Sequence, residues 1–237
     1  GDSSEEERPI RAFMTVNITD LADGFNRVRN VNARWNLETQ AWVIETGQGP
    51  NLAEQLWADA GDAAVGGPRP LVTLVTNFGE MQFELFEDEV PNTVANFVSL
   101  AESGFYDGTR SHRLIPNFMV QLGDPLSRDP SQADRWGTGG PGYEIACEWE
   151  GADLQQNLTG TLAMAHAGRD TGGSQFFINA KHNTQLDNHH TVFGRLVDGD
   201  SVRRQIMSVP TGPNDRPQQP VIIETVRVDR KRDHAYE

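Results

Sequence analysis

The sequence predicts a mainly β chain: a closed or nearly closed antiparallel barrel preceded by a small N-terminal extension. Three observations carry this expectation. Residues 71–86 read as two strand runs joined by a tight turn. Further on, short strand-like pieces are separated by long glycine-bearing loops. Helical patterns are few in that stretch, and many short strands with few helices favour a barrel over layered α/β folds.

Residues 1–67 form the extension and residues 68–237 the main domain. The boundary lies in A-A-V-G-G-P-R-P, from Ala63 to Pro70, which is rich in Gly and Pro and poor in bulk. Within the extension, Thr19 and Asp20 are expected to start a helix with Leu21, Phe25 and Val28 on its apolar face. Trp35 and Trp42 bracket a polar turn, after which Trp42-Val43-Ile44 reads as a short strand. Asn51 is placed to cap a second helix carrying Leu52, Leu56 and Trp57, ended by Gly61. A tryptophan-bearing segment can be a ligand shelf. Packing is preferred here, because no polar or charged pattern converges on it.

In the main domain, Leu71-Val72-Thr73-Leu74-Val75-Thr76 is one strand, and Met81 to Phe86 alternates apolar and polar as a second. Asn77-Phe78-Gly79 between them is a hairpin signal. Pro91-Asn92-Thr93 opens a helix with Val94, Phe97, Val98 and Ala101 on one side, stopped by Gly104, with Glu102 solvated near its end. A second helix is expected over 201–208, ended by Pro210. Val221-Ile222-Ile223 to Val228 closes the fold, and the tail K-R-D-H-A-Y-E is expected to fray.

Bulk properties remove several function classes. The net charge of −14 argues against nucleic acid as the main partner, since phosphate binding needs a basic face. No apolar run is long enough to span a bilayer. The lone Cys147 cannot form an internal disulfide, is too little for a structural zinc site, and reads as a small buried hydrophobe. The chain begins G-D-S-S-E-E-E without methionine, which reads as a trimmed chain whose acidic start suits a flexible tether and a frayed terminus equally well. An exported, periplasmic bacterial location is favoured over the cytoplasm, with a lipid anchor on a lost residue as one form of it.

The glycine-rich segments G-T-G-G-P-G (137–142) and A-G-R-D-T-G-G-S (167–174) have neither the phosphate-cradling spacing nor the dinucleotide pattern, so they read as loops. His189 and His190 are adjacent and, in a strand, would point to opposite sides, which suits no shared metal. Ser174 in G-G-S-Q is not in a nucleophile-elbow setting. No metal site is expected.

What remains is Ser111 to Asp124, S-H-R-L-I-P-N-F-M-V-Q-L-G-D, in which Arg113 is the one cation among Leu114, Ile115, Phe118, Met119 and Val120. A guanidinium stays charged at any working pH. Placing it among apolar groups is costly unless it has a partner or a task. An Arg with its stem on the core and its head in water is the plain alternative. Gln121 adds an amide and Gly123 a bend.

H-R-L-I-P-N-F-M-V-Q-L-G-D, M-A-H-A-G, G-S-Q-F-F-I and H-T-V-F-G, in this order, resemble the cyclophilin family of peptidyl-prolyl cis–trans isomerases over about Leu71 to Val228. The resemblance implies an eight-stranded antiparallel barrel capped by two helices. It also implies catalysis of rotation about Xaa-Pro bonds in polypeptides, assisting folding, with proline-containing polypeptides as partners and no cofactor. By motif position, Arg113 would be the catalytic arginine and Gln121 would hydrogen-bond the substrate backbone beside it. Phe118, Met119, Phe177 and Leu186 would hold the proline ring, with His190 at the pocket edge. Ala165, His166, Ala167 and Gln175 would line the groove for the residues before proline, and Gly137 and Thr138 would lie beside the neighbouring pocket.

Two departures stand out. His166 replaces the common Asn of the A-N-A segment, where main-chain groups are thought to make the contact. Gln185 stands where many eukaryotic members carry Trp, which implies weak binding of cyclosporin. A proline-peptide-binding module with little turnover is the alternative function.

Overall fold

A computed structural model of the chain describes residues 11–20, 25–36 and 41–44 by their backbone, and residues 68–150 and 155–236 with their side chains. The chain divides into two units, Gly1–Ala60 and Gly61–Glu237.

The first unit contains three strands, β1 (Arg11–Asp20), β2 (Phe25–Asn36) and β3 (Ala41–Ile44), in an antiparallel sheet of that order. The strand expected at Trp42-Val43-Ile44 is present. The helix expected from Thr19 through Phe25 and Val28 is not: Thr19 and Asp20 belong to β1 and Phe25 and Val28 to β2, while Leu21 lies outside the described residues. Spacings of four and three were misleading there. Ala12, Met14, Val16 and Ile18 recur at every second position, which is the strand period. The helix expected over 51–61 lies outside the described residues.

The second unit is built from β4 (Leu71–Thr76), β5 (Gly79–Leu85), β6 (Arg113–Ile115), β7 (Met119–Leu122), β8 (Thr161–Met164), β9 (Phe176–Asn179), β10 (Val192–Asp198) and β11 (Ile223–Arg230). They pair antiparallel in the order β11-β4-β5-β10-β8-β9-β7-β6. The sheet curls until its ends meet. Ile223 N–H donates to the Thr109 carbonyl and Ser111 N–H to the Val221 carbonyl, each at 2.9 Å, and Arg110 bridges Ile222. These bonds join the segment before β6 to the start of β11 and satisfy edges that would otherwise be open. The β4–β5 hairpin turns at 77–78, as its Asn-Phe-Gly sequence predicts.

Two helices cap the barrel, α1 (Pro91–Glu102) and α2 (Asp200–Met207). On α1, Val94, Phe97, Val98 and Ala101 are all buried, the face its spacing predicted. Phe97 meets Tyr106, Phe176 and Phe193, with ring centroids 5.2, 5.3 and 5.1 Å away. Among described residues, no helix is long and apolar enough to cross a membrane.

The N-terminus of α1 carries no side-chain cap of its own, because Val90 holds the cap position. Glu148 supplies one from a distant loop. Its carboxylate accepts from the Thr93 N–H (2.7 Å) and hydroxyl (2.6 Å), and from the Asn92 N–H (3.1 Å) and amide (3.0 Å). An anion at a helix N-terminus satisfies free donors and complements the dipole. Glu148→Ala is therefore expected to cost about 1–2 kcal/mol of folding free energy, read from urea unfolding. A loss within about 0.3 kcal/mol of zero would remove the capping role.

The C-terminal tail is docked rather than frayed. Arg232 reaches Asp88 at 2.6 Å, His234 Nε2 reaches Glu87 at 2.6 Å, Lys231 reaches Glu102 at 2.6 Å, and Tyr236 is buried against the core. The basic residues of the tail find the acidic Glu87-Asp88 pair far earlier in the chain, which local composition cannot reveal. Cys147 is half-buried rather than buried, and its Sγ accepts from the Asp170 N–H at 3.2 Å. Burial raises its thiol pKa, which leaves it a protonated bystander.

Candidate active site

Strand alternation decides where the motif residues go. Leu114, Val120, Ile178 and Leu162 are opposite one another on β6, β7, β9 and β8, and each is essentially inaccessible. They face the barrel interior. Their sequence neighbours Arg113, Gln121, Phe177 and Ala163 form the next row and therefore face outward. The outer face of three adjacent strands thus brings a cation, an amide and an aromatic ring into one line. Met119, two residues before Gln121, shares that face and is only 3% exposed, so the outer face is itself covered.

Arg113 differs from expectation. Its side chain is 45% exposed, not sunk among apolar groups, and its Nε lies 3.6 Å from an Asp215 carboxylate oxygen. The outward position dictated by its neighbour Leu114 is the reason.

Phe118 and Leu186 are partly buried against the core cluster. Asn183 ties their segments together. Its amide donates to the Phe118 carbonyl at 2.8 Å, and its own carbonyl accepts from the Leu186 N–H at 2.8 Å. Asn183 is buried and was not singled out in the sequence, where nothing local marks it.

His190 lies in the turn before β10 rather than in a strand. Its ring stands edge-on to Phe177 at 5.2 Å and stacks on His166 at 4.3 Å, and His166 in turn faces Trp149 at 5.6 Å. Burial is the main cause that lowers the His190 pKa below its ordinary 6.5, so the ring is neutral at pH 7. Its Nδ1 is 3.0 Å from the Met164 carbonyl, which makes that nitrogen the donor and leaves Nε2 as an acceptor.

Beside this row opens a cavity of about 900 Å³. Gln121, Gly137, Thr138, Ala165, His166, Ala167 and Gln175 line it, together with the loop through Tyr143 and Glu144. Arg113, Phe118, Met119, Phe177, Leu186 and His190 are not among its lining residues, so the site has two parts that share Gln121 at their border. Gln175 organises the border. It accepts from the Gln121 amide at 3.0 Å and donates to the Gly137 and Gly139 carbonyls at 3.1 and 2.8 Å. Gly123 makes the bend that lets this loop approach. Its φ is +86°, and a Cβ there would collide with the Ser174 carbonyl oxygen. Asp124, fully buried, then accepts from the Leu126 N–H at 2.8 Å and from the Gly137 N–H.

His112 sits behind Gly137, 8% exposed. Desolvation pushes its pKa down to about 4; Asp124 opposes this, and Arg113 and Arg216 reinforce it. The folded state favours the neutral ring, so this stability is complete above the unfolded value of 6.5 and is lost as pH falls towards 4. The stability advantage of wild type over His112→Gln is expected to shrink by about 3 kcal/mol from pH 7 to pH 4 in urea titrations. An advantage that stays flat with pH would show that His112 does not titrate this way. Among the described residues no group of three or more His, Cys, Asp or Glu is placed to hold a metal ion.

The family described as cyclophilin type peptidyl-prolyl cis-trans isomerase/CLD matches residues 71–228. The chain belongs to that family, and it is an isomerase of the cyclophilin type. It is similar to a peptidyl-prolyl cis-trans isomerase of Synechococcus elongatus, 48% identical over 130 residues, covering 55% of this chain and 82% of that protein. It is similar to peptidyl-prolyl cis-trans isomerase A of Mycobacterium tuberculosis, 42% identical over 173 residues, covering 66% of this chain and 90% of the relative. Among solved structures, a cyclophilin type peptidyl-prolyl cis-trans isomerase of Cryptosporidium parvum superposes with a TM-score of 0.62 at 30% identity, covering 69% of this chain and 99% of the other. The same protein in the presence of the dipeptide Ala-Pro gives a TM-score of 0.61 at 30% identity, covering 68% and 99%.

Proposed function

We propose that this chain accelerates cis–trans exchange of Xaa-Pro bonds with Arg113 as the catalytic group, and that the outward row Arg113–Gln121–Phe177 is the surface on which the proline lies. That row is the observation that carries the assignment. The barrier to amide rotation is about 18–20 kcal/mol because the C–N bond has partial double-bond character. The two isomers of an Xaa-Pro bond differ by only about 0.5–1 kcal/mol. No covalent bond has to break. The task is to hold one side of the bond and to favour the twisted state.

Phe177, Met119, Phe118 and Leu186 supply an apolar seat for the ring, with neutral His190 at its rim. Gln121 fixes the substrate backbone, and Ala165, His166, Ala167 and Gln175 with the Gly137-Thr138 turn receive the residues before proline. The twisted imide has a pyramidal nitrogen with a localised lone pair, and the Arg113 guanidinium donates to it. The half-exposed guanidinium loses water when the peptide lands on it, which strengthens that donation where charge develops. Gln185 is exposed next to Leu186, and with no indole at that place cyclosporin binding is weak.

The test is catalysed exchange of a short Xaa-Pro peptide, followed by exchange NMR. Wild type accelerates exchange and Arg113→Ala loses most of it. Equal peptide binding by both variants without acceleration by either would make the chain a binding module instead.

A further inference from the structure

We propose that Asp215 is a positioning residue for Arg113, holding the guanidinium in its working orientation through charge; this rests on the catalytic role just assigned to Arg113. Among the described residues, Asp215 is the one partner of that guanidinium, with 3.6 Å between Nε and Oδ2. The distance is an ion pair and too long for a hydrogen bond. Both side chains are about half exposed, 45% and 48%.

Both ends of the pair stand on fixed backbone. Arg113 is pinned by its pairing with Gln121. Asp215 sits in a tight loop in which the Gly212 N–H donates to the Arg216 carbonyl at 2.8 Å, the Gln218 N–H donates to the Pro210 carbonyl at 2.8 Å, and Thr211 bridges Pro217. The next residue, Arg216, donates to the Ala133 carbonyl at 2.7 Å and lies 4.8 Å over the Trp136 ring. Asn214 and Asp215 both hold left-handed backbone, φ +60° and +57°, a conformation that short polar side chains tolerate best. The loop is thus shaped to present a carboxylate to the Nε edge. Both terminal nitrogens of Arg113 stay uncommitted among the described residues and can face a substrate. A long, exposed arginine without such a partner samples several rotamers, and only a fraction of them aim at the prolyl nitrogen.

Asp215→Asn is the discriminating variant, because Asn suits the left-handed backbone and removes only the charge. With an uncharged Xaa-Pro peptide and the full chain, kcat is expected to fall roughly three- to fivefold with KM changed less than about twofold. Wild-type kcat is expected to decline towards the variant's value as salt rises from about 20 mM to about 500 mM, while the variant is insensitive. The Arg113 Nε–H NMR signal is expected to exchange with water faster in the variant. A variant with wild-type kcat at low salt, or a loss carried by KM, overturns the proposal. The salt series needs no substitution, so it decides the matter even if the variant folds poorly. If wild type does not accelerate exchange at all, the isomerase reading of Arg113 fails, and the Nε–H exchange rates alone then decide whether Asp215 restrains it.

Discussion

Arg113→Ala is expected to lower kcat/KM for Xaa-Pro exchange by about 10²–10³-fold while leaving the fold intact. The size follows from what a donor aimed at developing charge is worth. Removing one such group from a preorganised site commonly costs about 10²–10³ in rate. The fold should survive because the Arg113 side chain is 45% exposed and its ion pair with Asp215, the one it makes among the described residues, is about equally exposed. Exposed pairs contribute about 0–1 kcal/mol. Peptide affinity should change little, since the apolar seat and the groove remain. Arg113→Lys should recover only part of the rate, because an ammonium keeps the charge and loses the planar fork. Exchange NMR across a peptide titration separates rate from affinity. An alanine variant within threefold of wild type would remove Arg113 from the chemistry.

Phe97→Ala is expected to destabilise the second unit by about 3–5 kcal/mol, the range for emptying a buried aromatic site. Phe97 is 1% exposed and touches three other rings, two of which, Phe176 and Phe193, come from barrel strands. Glu148 holds the N-terminus of α1 and the Asn96 amide donates to the Gly173 carbonyl at 2.8 Å, so the helix cannot collapse freely around the missing ring. Edge-to-face contact with Phe176, at 89°, adds to the area term. With a net stability of about 5–15 kcal/mol for an ordinary domain, the loss should be large in a urea melt yet leave a folded protein to measure. A loss under about 1 kcal/mol would mean that α1 is dispensable to the barrel.

Local patterns were legible in the sequence. The β4–β5 hairpin, α1 and the closing strand each rest on residues within a few positions of one another. The site was legible as four separated motifs, and the strand register brings Arg113, Gln121 and Phe177 into line. What escaped was long-range or a competing period. Glu148 caps a helix more than 50 residues earlier, and Asn183 fastens Phe118 from 65 residues later. The tail docks through charges on Glu87 and Asp88. In β1 the two-residue alternation lost to a helical spacing that runs from the end of one strand into the next. The exposure of Arg113 could have been read from Leu114, since successive strand residues take opposite sides.

Strands β6, β7 and β9 each serve two masters at alternate positions: Leu114, Val120 and Ile178 build the interior, while Arg113, Gln121 and Phe177 form the outer row. Point changes can therefore tune chemistry or robustness separately. Length changes cannot. Adding or deleting one residue in any of these strands exchanges the two roles, so evolution is free to vary spelling here but not syllable count.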